Sequence, residues 1–207
     1  MPSQPALRAL VLNCTLKPSP GTSNTEALAE VLVDALESHE VATEQVRVVD
    51  LDVHPGISSD AGDGDEWPSI RAMVVASNIL VMASPTWLGQ PSSVAKRVLE
   101  RLMAMLGEQD EEGRPIAYNR VAGFVVSGNE DGAHHVISEM AGALMDIGFT
   151  VPGQAWTYWN RGPGPGPSYL EDEEGRDWSH ATARAAASNL AAVARALHEQ
   201  PIPPPPP

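Results

Sequence analysis

The sequence predicts an α/β fold, a three-layer sandwich whose five-stranded parallel sheet, of order 2-1-3-4-5, lies between two layers of helices. Three observations predict it. Short apolar runs alternate with longer stretches of helical periodicity, strand then helix, five times along the chain. The run Ile79 to Ala83 is apolar at every position, as a central parallel strand covered on both faces must be. Right-handed crossovers between such strands then leave the ligand crevice beyond the carboxyl ends of the first, third and fourth strands, and those three end in the most distinctive loops of the chain.

The first strand is Leu7 to Asn13, an apolar run that breaks into a Pro, Ser, Gly and Thr loop. Ser23-Asn24-Thr25-Glu26 has the form of a capping box, and Ala27, Leu28, Val31, Leu32, Ala35 and Leu36 follow at helical spacing to about His39. Gln45 to Val49 alternates and reads as the second strand. Residues 55–66 are loop. Trp67 to Val75 is a short helix with Pro68 in its first turn. The third strand, 79–83, stops at Ser84-Pro85-Thr86. Pro91 opens a helix with Val94, Val98, Leu99, Leu102 and Leu106 on one face, and 107–119 are loop. The fourth strand, Val121 to Val126, ends at Ser127-Gly128-Asn129. A helix over Ala133 to Ile147 turns Val136, Met140, Leu144 and Ile147 inward. Phe149 to Trp156 reads as the fifth strand. An irregular stretch over 157–178 contains Gly-Pro-Gly-Pro-Gly-Pro, and an alanine-rich helix runs from about Ser179 to His198. The chain thus reads as one domain over 1–199 with a proline-rich tail over 200–207, polyproline II or disordered.

With 207 residues, the chain is long enough to bury a sizeable core. Thirteen Lys and Arg against 27 Asp and Glu give a net charge of −14. That argues against nucleic acid, which needs a basic face, and against an anionic membrane surface. The charge is local: residues 60–66, 108–112 and 171–177 hold 13 of the 27 acids and a single base, Arg176. Two of these stretches fall on the expected ligand side, where they would repel an anionic nucleotide at low salt. The lone Cys14 excludes an internal disulfide and a multi-cysteine zinc site. The first residues lack a signal-peptide pattern and no apolar stretch approaches the ~20 residues that span a bilayer, so the expected location is the cytoplasm.

Three loops could carry chemistry. Residues 14–25 offer Thr15, Ser19, Thr22, Ser23 and Thr25, the amide of Asn24 and one cation, Lys17. Placed before a helix, whose amino end presents unpaired N–H groups and a positive dipole, they suit a phosphate. The bland alternative is that Ser23 merely caps the helix. The segment matches neither the nucleotide P-loop nor Gly-x-Gly-x-x-Gly. The second loop is Ser84-Pro85-Thr86-Trp87-Leu88-Gly89-Gln90-Pro91-Ser92-Ser93, the third Ser127-Gly128-Asn129-Glu130-Asp131-Gly132.

In the second loop the Pro-Thr-Trp-Leu-Gly stretch followed by small residues resembles the NADPH-dependent FMN reductase family of flavodoxin-like proteins, and residues 7–39 resemble that family's first strand and phosphate loop. The similarity covers roughly residues 7–150. It implies a flavodoxin-like fold, FMN as cofactor and NADPH or NADH as hydride donor. It also implies that Thr15, Lys17, Ser23, Asn24 and Thr25 surround the phosphate. Pro85, Thr86, Trp87, Leu88 and Gly89 would run along the flavin ring, with backbone N–H groups near Trp87–Gly89 stabilising charge on it. Ser127, Gly128 and Asn129 would close over it. Glu130-Asp131 departs from the family pattern, and Asp131 reads better as a cap of the next helix. A homodimer or homotetramer is implied as well, because neighbouring subunits help to wall the flavin. The activity implied is an oxidoreductase in which NAD(P)H reduces bound flavin and the flavin passes electrons to a small acceptor, such as a quinone or free flavin. No catalytic side chain is needed, since the cofactor does the chemistry. The alternative is a flavodoxin-type electron carrier, whose acidity would assist docking to a partner. Fold alone cannot choose between them.

Several signals weigh less. Ser93-Val94-Ala95-Lys96 lacks the companion motifs of β-lactamases. His134-His135 are adjacent on a helix and point ~100° apart, poor geometry for one metal ion. Asp60, Asp63 and Asp65 lack the remaining features of a calcium loop. Cys14 is either a reactive thiol beside the phosphate loop or a small filler at a strand end. Six of the ten aromatic residues fall between 149 and 178, which points to a packed loop: a lid or dimer contact near the flavin, or a segment packed on its own sheet. Arg161 is the nearest cation for a 2′-phosphate.

Overall fold

The computed structural model describes residues 7–162 and 166–206. Five parallel strands form one sheet, β1 (Leu7–Asn13), β2 (Val41–Arg47), β3 (Ile79–Trp87), β5 (Val121–Ser127) and β6 (Trp156–Trp159), in the order β2-β1-β3-β5-β6. A two-residue strand, β4 (Gln90–Pro91), pairs antiparallel with the end of β3. Without β4 the order is 2-1-3-4-5, the flavodoxin-like arrangement. Register sets the carboxyl edge: Pro85 pairs with Ser127 and Ser127 with Trp159, so these three stand in one row.

Alternation along the strands sends side chains to two apolar layers. Leu10, Leu12, Leu80, Met82, Phe124 and Val126 pack under α2 (Trp67–Ala76), α3 (Ser93–Leu102) and α4 (Ala133–Ile147). Ala9, Val11, Val81, Ala83 and Val125 pack under α1 (Asn24–Ser38) and α5 (Arg176–Glu199). With both faces covered, the central strands need apolar residues at every position, which is why β3 and β5 were plain in the sequence.

The differences lie at edges and turns. Ser23 caps α1 and accepts the Glu26 N–H, but the Glu26 carboxylate pairs with Arg47, so only half of the capping box forms. The second strand is Val41–Arg47 and not 45–49, and 48–50 form a 3₁₀ turn. As an edge strand it leaves Ala42 and Glu44 exposed, so its sequence lacks an apolar run. Beyond residue 83, β3 continues pairing with β5 through Pro85 and then folds back as a hairpin through Thr86–Trp87. Pro91 therefore lies in β4. Ser92, which accepts the Ala95 N–H at 3.0 Å, caps α3, and Leu106 sits exposed in the 3₁₀ turn 103–107. The fifth strand is 156–159 and not 149–156. Thr150 makes one isolated parallel bridge with Val121, and then Pro152, which has no N–H to give a ladder, and Gln154, at φ +54, interrupt the pairing until Trp156. Of the Gly-Pro run, residues 163–165 lie outside the described residues. In the tail, residues 201–206 are exposed, and the Ile202 N–H donates to Asn119 Oδ1 at 2.6 Å. Among the described residues no helix is long and apolar enough to cross a membrane.

Candidate functional site

The loop after β1 is folded by its own polar groups. Asn13 Oδ1 accepts the Thr15 N–H at 3.1 Å, and Thr15 Oγ1 accepts the Lys17 N–H at 3.3 Å. Arg47 braces it from the neighbouring strand, donating to the carbonyls of Gly21 (2.7 Å) and Lys17 (3.3 Å). Asp50 accepts both the hydroxyl and the N–H of Ser19, at 2.6 and 2.8 Å, and those bonds hold its carboxyl below the usual range. Ser19 is therefore a brace, while the Lys17 side chain is exposed.

A crevice opens where this loop meets the carboxyl ends of β3, β5 and β6. Its walls bring together Thr15, Lys17, Asn24 and Thr25 from the first loop, Pro85, Thr86 and Trp87 from the second, and Ser127, Gly128 and Asn129 from the third. Thr25 Oγ1 and Ser127 Oγ, 102 residues apart, lie within 2.9 Å of each other. Three of the thirteen nominated residues fall outside the lining. Ser23 is the buried cap of α1. Leu88 and Gly89 form the tip of the β3–β4 hairpin at φ +52 and +71, with Leu88 91% exposed.

That tip is clamped to the third loop. Glu130 accepts the Leu88 N–H at 2.7 Å, and Gln90 meets His135 at 3.0 Å. Of the backbone N–H groups expected near Trp87–Gly89 to stabilise charge on a flavin, that of Leu88 is thus engaged by Glu130, the residue that departs from the family pattern. Asp131 does not cap α4; Gly132 occupies the cap position at φ +108 with no side-chain hydrogen bond. A Cβ there would stand 2.7 Å from Gly89 Cα, so the loops touch backbone to backbone.

Four lining residues were not nominated for the crevice: Leu16, Trp159, Ser168 and Tyr169. The clustering of aromatics flagged two of them; Leu16 and Ser168 left no signal. Trp159 and Tyr169 meet edge to face at 5.7 Å. Trp156, Tyr158 and Trp178 pack instead with His134 as a separate cluster, and Phe149 lies in the core. Tyr169 is buried: burial raises its phenol and the Arg176 guanidinium opposes it.

The charged loops are more neutralised than their composition implied. The Asp65 side chain is buried and accepts from Arg101 at 2.6 Å and from the N–H groups of Ala61, His54 and Trp67. Burial alone would raise its carboxyl, but the Ala61 N–H, Arg101 and the other donors prevail and hold it well below the usual range. Arg161 is taken by Asp172 (2.5 Å) and Glu174 (2.7 Å), so it is not the free cation expected near a 2′-phosphate. Cys14 is buried, its thiol pushed well above the usual range by burial. His135 faces Glu139 at 3.6 Å.

The donor set suits a phosphorylated planar ring. The crevice lining combines Lys17 and the hydroxyls of Thr15, Thr25 and Ser127, next to the first turn of α1, with the flat apolar surfaces of Pro85, Trp87 and Tyr169.

The sequence profile described as NADPH-dependent FMN reductase matches residues 7–163. Over 173 residues the chain is 40% identical to a protein of Mycobacterium bovis named divalent metal cation transporter MntH; the match covers 82% of this chain and 25% of that protein, so the chain spans a quarter of that relative's length. Over 206 residues it is 36% identical to 8-demethyl-8-aminoriboflavin-5′-phosphate synthase of Streptomyces davaonensis, covering 95% of this chain and 80% of that protein. The crystal structure of RosB with its bound intermediate 8-demethyl-8-formylriboflavin-5′-phosphate superposes with a TM-score of 0.88 at 36% identity, over 95% of this chain and 82% of that one.

Proposed function

Because the chain belongs to the NADPH-dependent FMN reductase family, we propose that it holds FMN in the crevice as an oxidoreductase, with NADPH or NADH as electron donor and a small molecule, such as a quinone or free flavin, as acceptor. The observation that carries this reading is the convergence of ten nominated residues from three loops on one crevice lined by both phosphate donors and flat apolar surface. When bound, the flavin supplies the hydride and electron chemistry.

The chain's own residues bind, orient and exclude water. Lys17 would meet the phosphate with a full charge, and the amino end of α1 would add its dipole. Thr15 and Thr25 would donate hydroxyl hydrogen bonds to it. Pro85 and Trp87 would bear on one part of the ring, and Tyr169 with Trp159 would keep water from the inner end. No side chain needs to take or give a proton. The crevice lining includes exposed Leu16 and Trp87, at 44% and 52%, which favours an uncharged apolar acceptor and also a second copy of the chain as a wall, in a homodimer or homotetramer.

A second reading has one specific support. The Streptomyces relative, 36% identical over 95% of this chain, is named for making a modified flavin 5′-phosphate, so in this chain the flavin phosphate could be what is transformed. The deciding experiment has two arms: bleaching of FMN by NADPH in the purified protein is followed without oxygen, and in parallel the protein is incubated with FMN, oxygen as oxidant and an amino acid as amine donor, and the flavin from both arms is weighed. Reversible bleaching with unchanged flavin mass supports the oxidoreductase; an altered mass supports the second reading; no binding of FMN contradicts both.

A further inference from the structure

Two asparagines nominated as flavin contacts have their side chains turned to another task. Asn24 Oδ1, in the first turn of α1, accepts the Leu170 N–H at 3.0 Å. Asn129 Nδ2, beyond β5, donates to the Gly166 carbonyl at 2.8 Å. The two bonds therefore fasten the ends of a short segment, 166–170, to the first and third loops, on either side of the crevice. Between the fastenings, Ser168 and Tyr169 form part of the crevice wall.

The rear of the segment is held differently. Arg176 donates to the Tyr169 carbonyl through Nη2 at 2.6 Å and through Nε at 3.0 Å. The Tyr169 hydroxyl meets His180 Nε2 at 2.8 Å, and the Tyr169 ring is buried against Trp159. These rear contacts are charge-assisted or buried. The front contacts are single neutral hydrogen bonds at exposed positions, the weaker kind. The front is thus the side that opens, with the rear as its anchor.

We infer that Asn24 and Asn129 are positioning residues that clasp segment 166–170 across the crevice mouth, and that opening of this clasp sets the rate at which a flavin 5′-phosphate enters and leaves. The inference rests on the flavin reading above and deepens it: a clasped flavin is retained between turnovers as a cofactor, whereas an exchanging one can be released as product. One neutral hydrogen bond of ordinary net strength corresponds to about fivefold in an opening equilibrium.

The two asparagines use opposite halves of their amides, which makes the test sharp. Asn24 accepts, so Asn24→Asp keeps its bond and Asn24→Ala loses it. Asn129 donates, so Asn129→Asp and Asn129→Ala both lose it. Amide hydrogen exchange over 166–171 in flavin-free protein reads the clasp directly. We expect exchange about fivefold faster in Asn24→Ala, Asn129→Ala and Asn129→Asp, and unchanged in Asn24→Asp. Equal exchange in all variants, each checked for native circular dichroism, would overturn the clasp.

Stopped-flow binding of FMN and riboflavin reads its consequence. For both ligands, association and dissociation should each rise about fivefold in the alanine variants, leaving Kd within about threefold. A weakening confined to FMN and to its dissociation rate would make Asn24 or Asn129 a phosphate ligand and overturn the inference. Wild-type protein that binds no flavin overturns the flavin reading and the ligand half of this inference together, and hydrogen exchange then still decides whether the clasp exists.

Discussion

Replacing Gly132 by alanine tests the contact that positions the hairpin tip. At φ +108 an L side chain is strained by about 1–3 kcal/mol. The new Cβ would also lie 2.7 Å from Gly89 Cα, where carbon atoms rest at about 3.5–4.0 Å, so the Leu88–Gly89 tip must retreat by about 1 Å. Backbone cannot rotate aside as a long side chain can. For a chain of this length about 2–4 °C of melting temperature follows each kcal/mol, so a fall of about 3–10 °C is expected in thermal unfolding by circular dichroism. Displacement of the tip next to Trp87 should weaken FMN binding on the order of tenfold. Gly142, inside α4 with nothing within 4 Å of its missing Cβ, is the control: alanine there should stabilise by about 0.4–1 kcal/mol and leave FMN affinity alone. A Gly132→Ala protein that melts within a degree of wild type and binds FMN equally well would refute the reasoning.

Four further outcomes are expected. Arg101→Leu would leave Asp65 as an unpaired buried charge and cost about 3–5 kcal/mol in urea unfolding at neutral pH. The Asp65 carboxyl is held low in the folded state, so its contribution is full above the ordinary carboxylate pKa of about 4 and is lost as pH falls below it; Asp65→Asn should therefore flatten the acid limb of the stability profile, and an unaltered limb would count against the clamp. Lys17→Ala should weaken FMN by about 1–3 kcal/mol and leave riboflavin, which has no phosphate, unaffected in parallel titrations. Cys14 should resist a thiol reagent until denaturant is added; rapid labelling of the native protein would contradict its burial.

How much was legible in the sequence follows from how each segment is buried. β3, β5 and α4 are enclosed by neighbours, so their apolar patterns had no freedom and their limits were read to within a few residues. β2 and β6 are edge strands with one partner each, and their polar or aromatic residues answer to solvent and to local packing, which hid their limits. Loops at the carboxyl ends of strands were readable as a site because hydroxyls, one lysine and glycine crowd there without serving a core. What the pattern could not show is which of those groups are spent on the protein itself. Glu130 takes the Leu88 N–H, Ser19 is held by Asp50, and Arg161 is neutralised by two acids, each a contact between residues distant in the chain or outside any motif. Tyr169 enters the crevice from beyond β6, a placement set by tertiary contacts with α5, Trp159 and Asn24 that no local pattern shows.

The most direct test of the central claim is an anaerobic titration of the purified protein with FMN, followed by NADPH. The account predicts a yellow complex in which flavin fluorescence is altered by Trp87 and Tyr169, and loss of its visible absorption once nucleotide is added. A protein that stays colourless and leaves added FMN free in solution would contradict it.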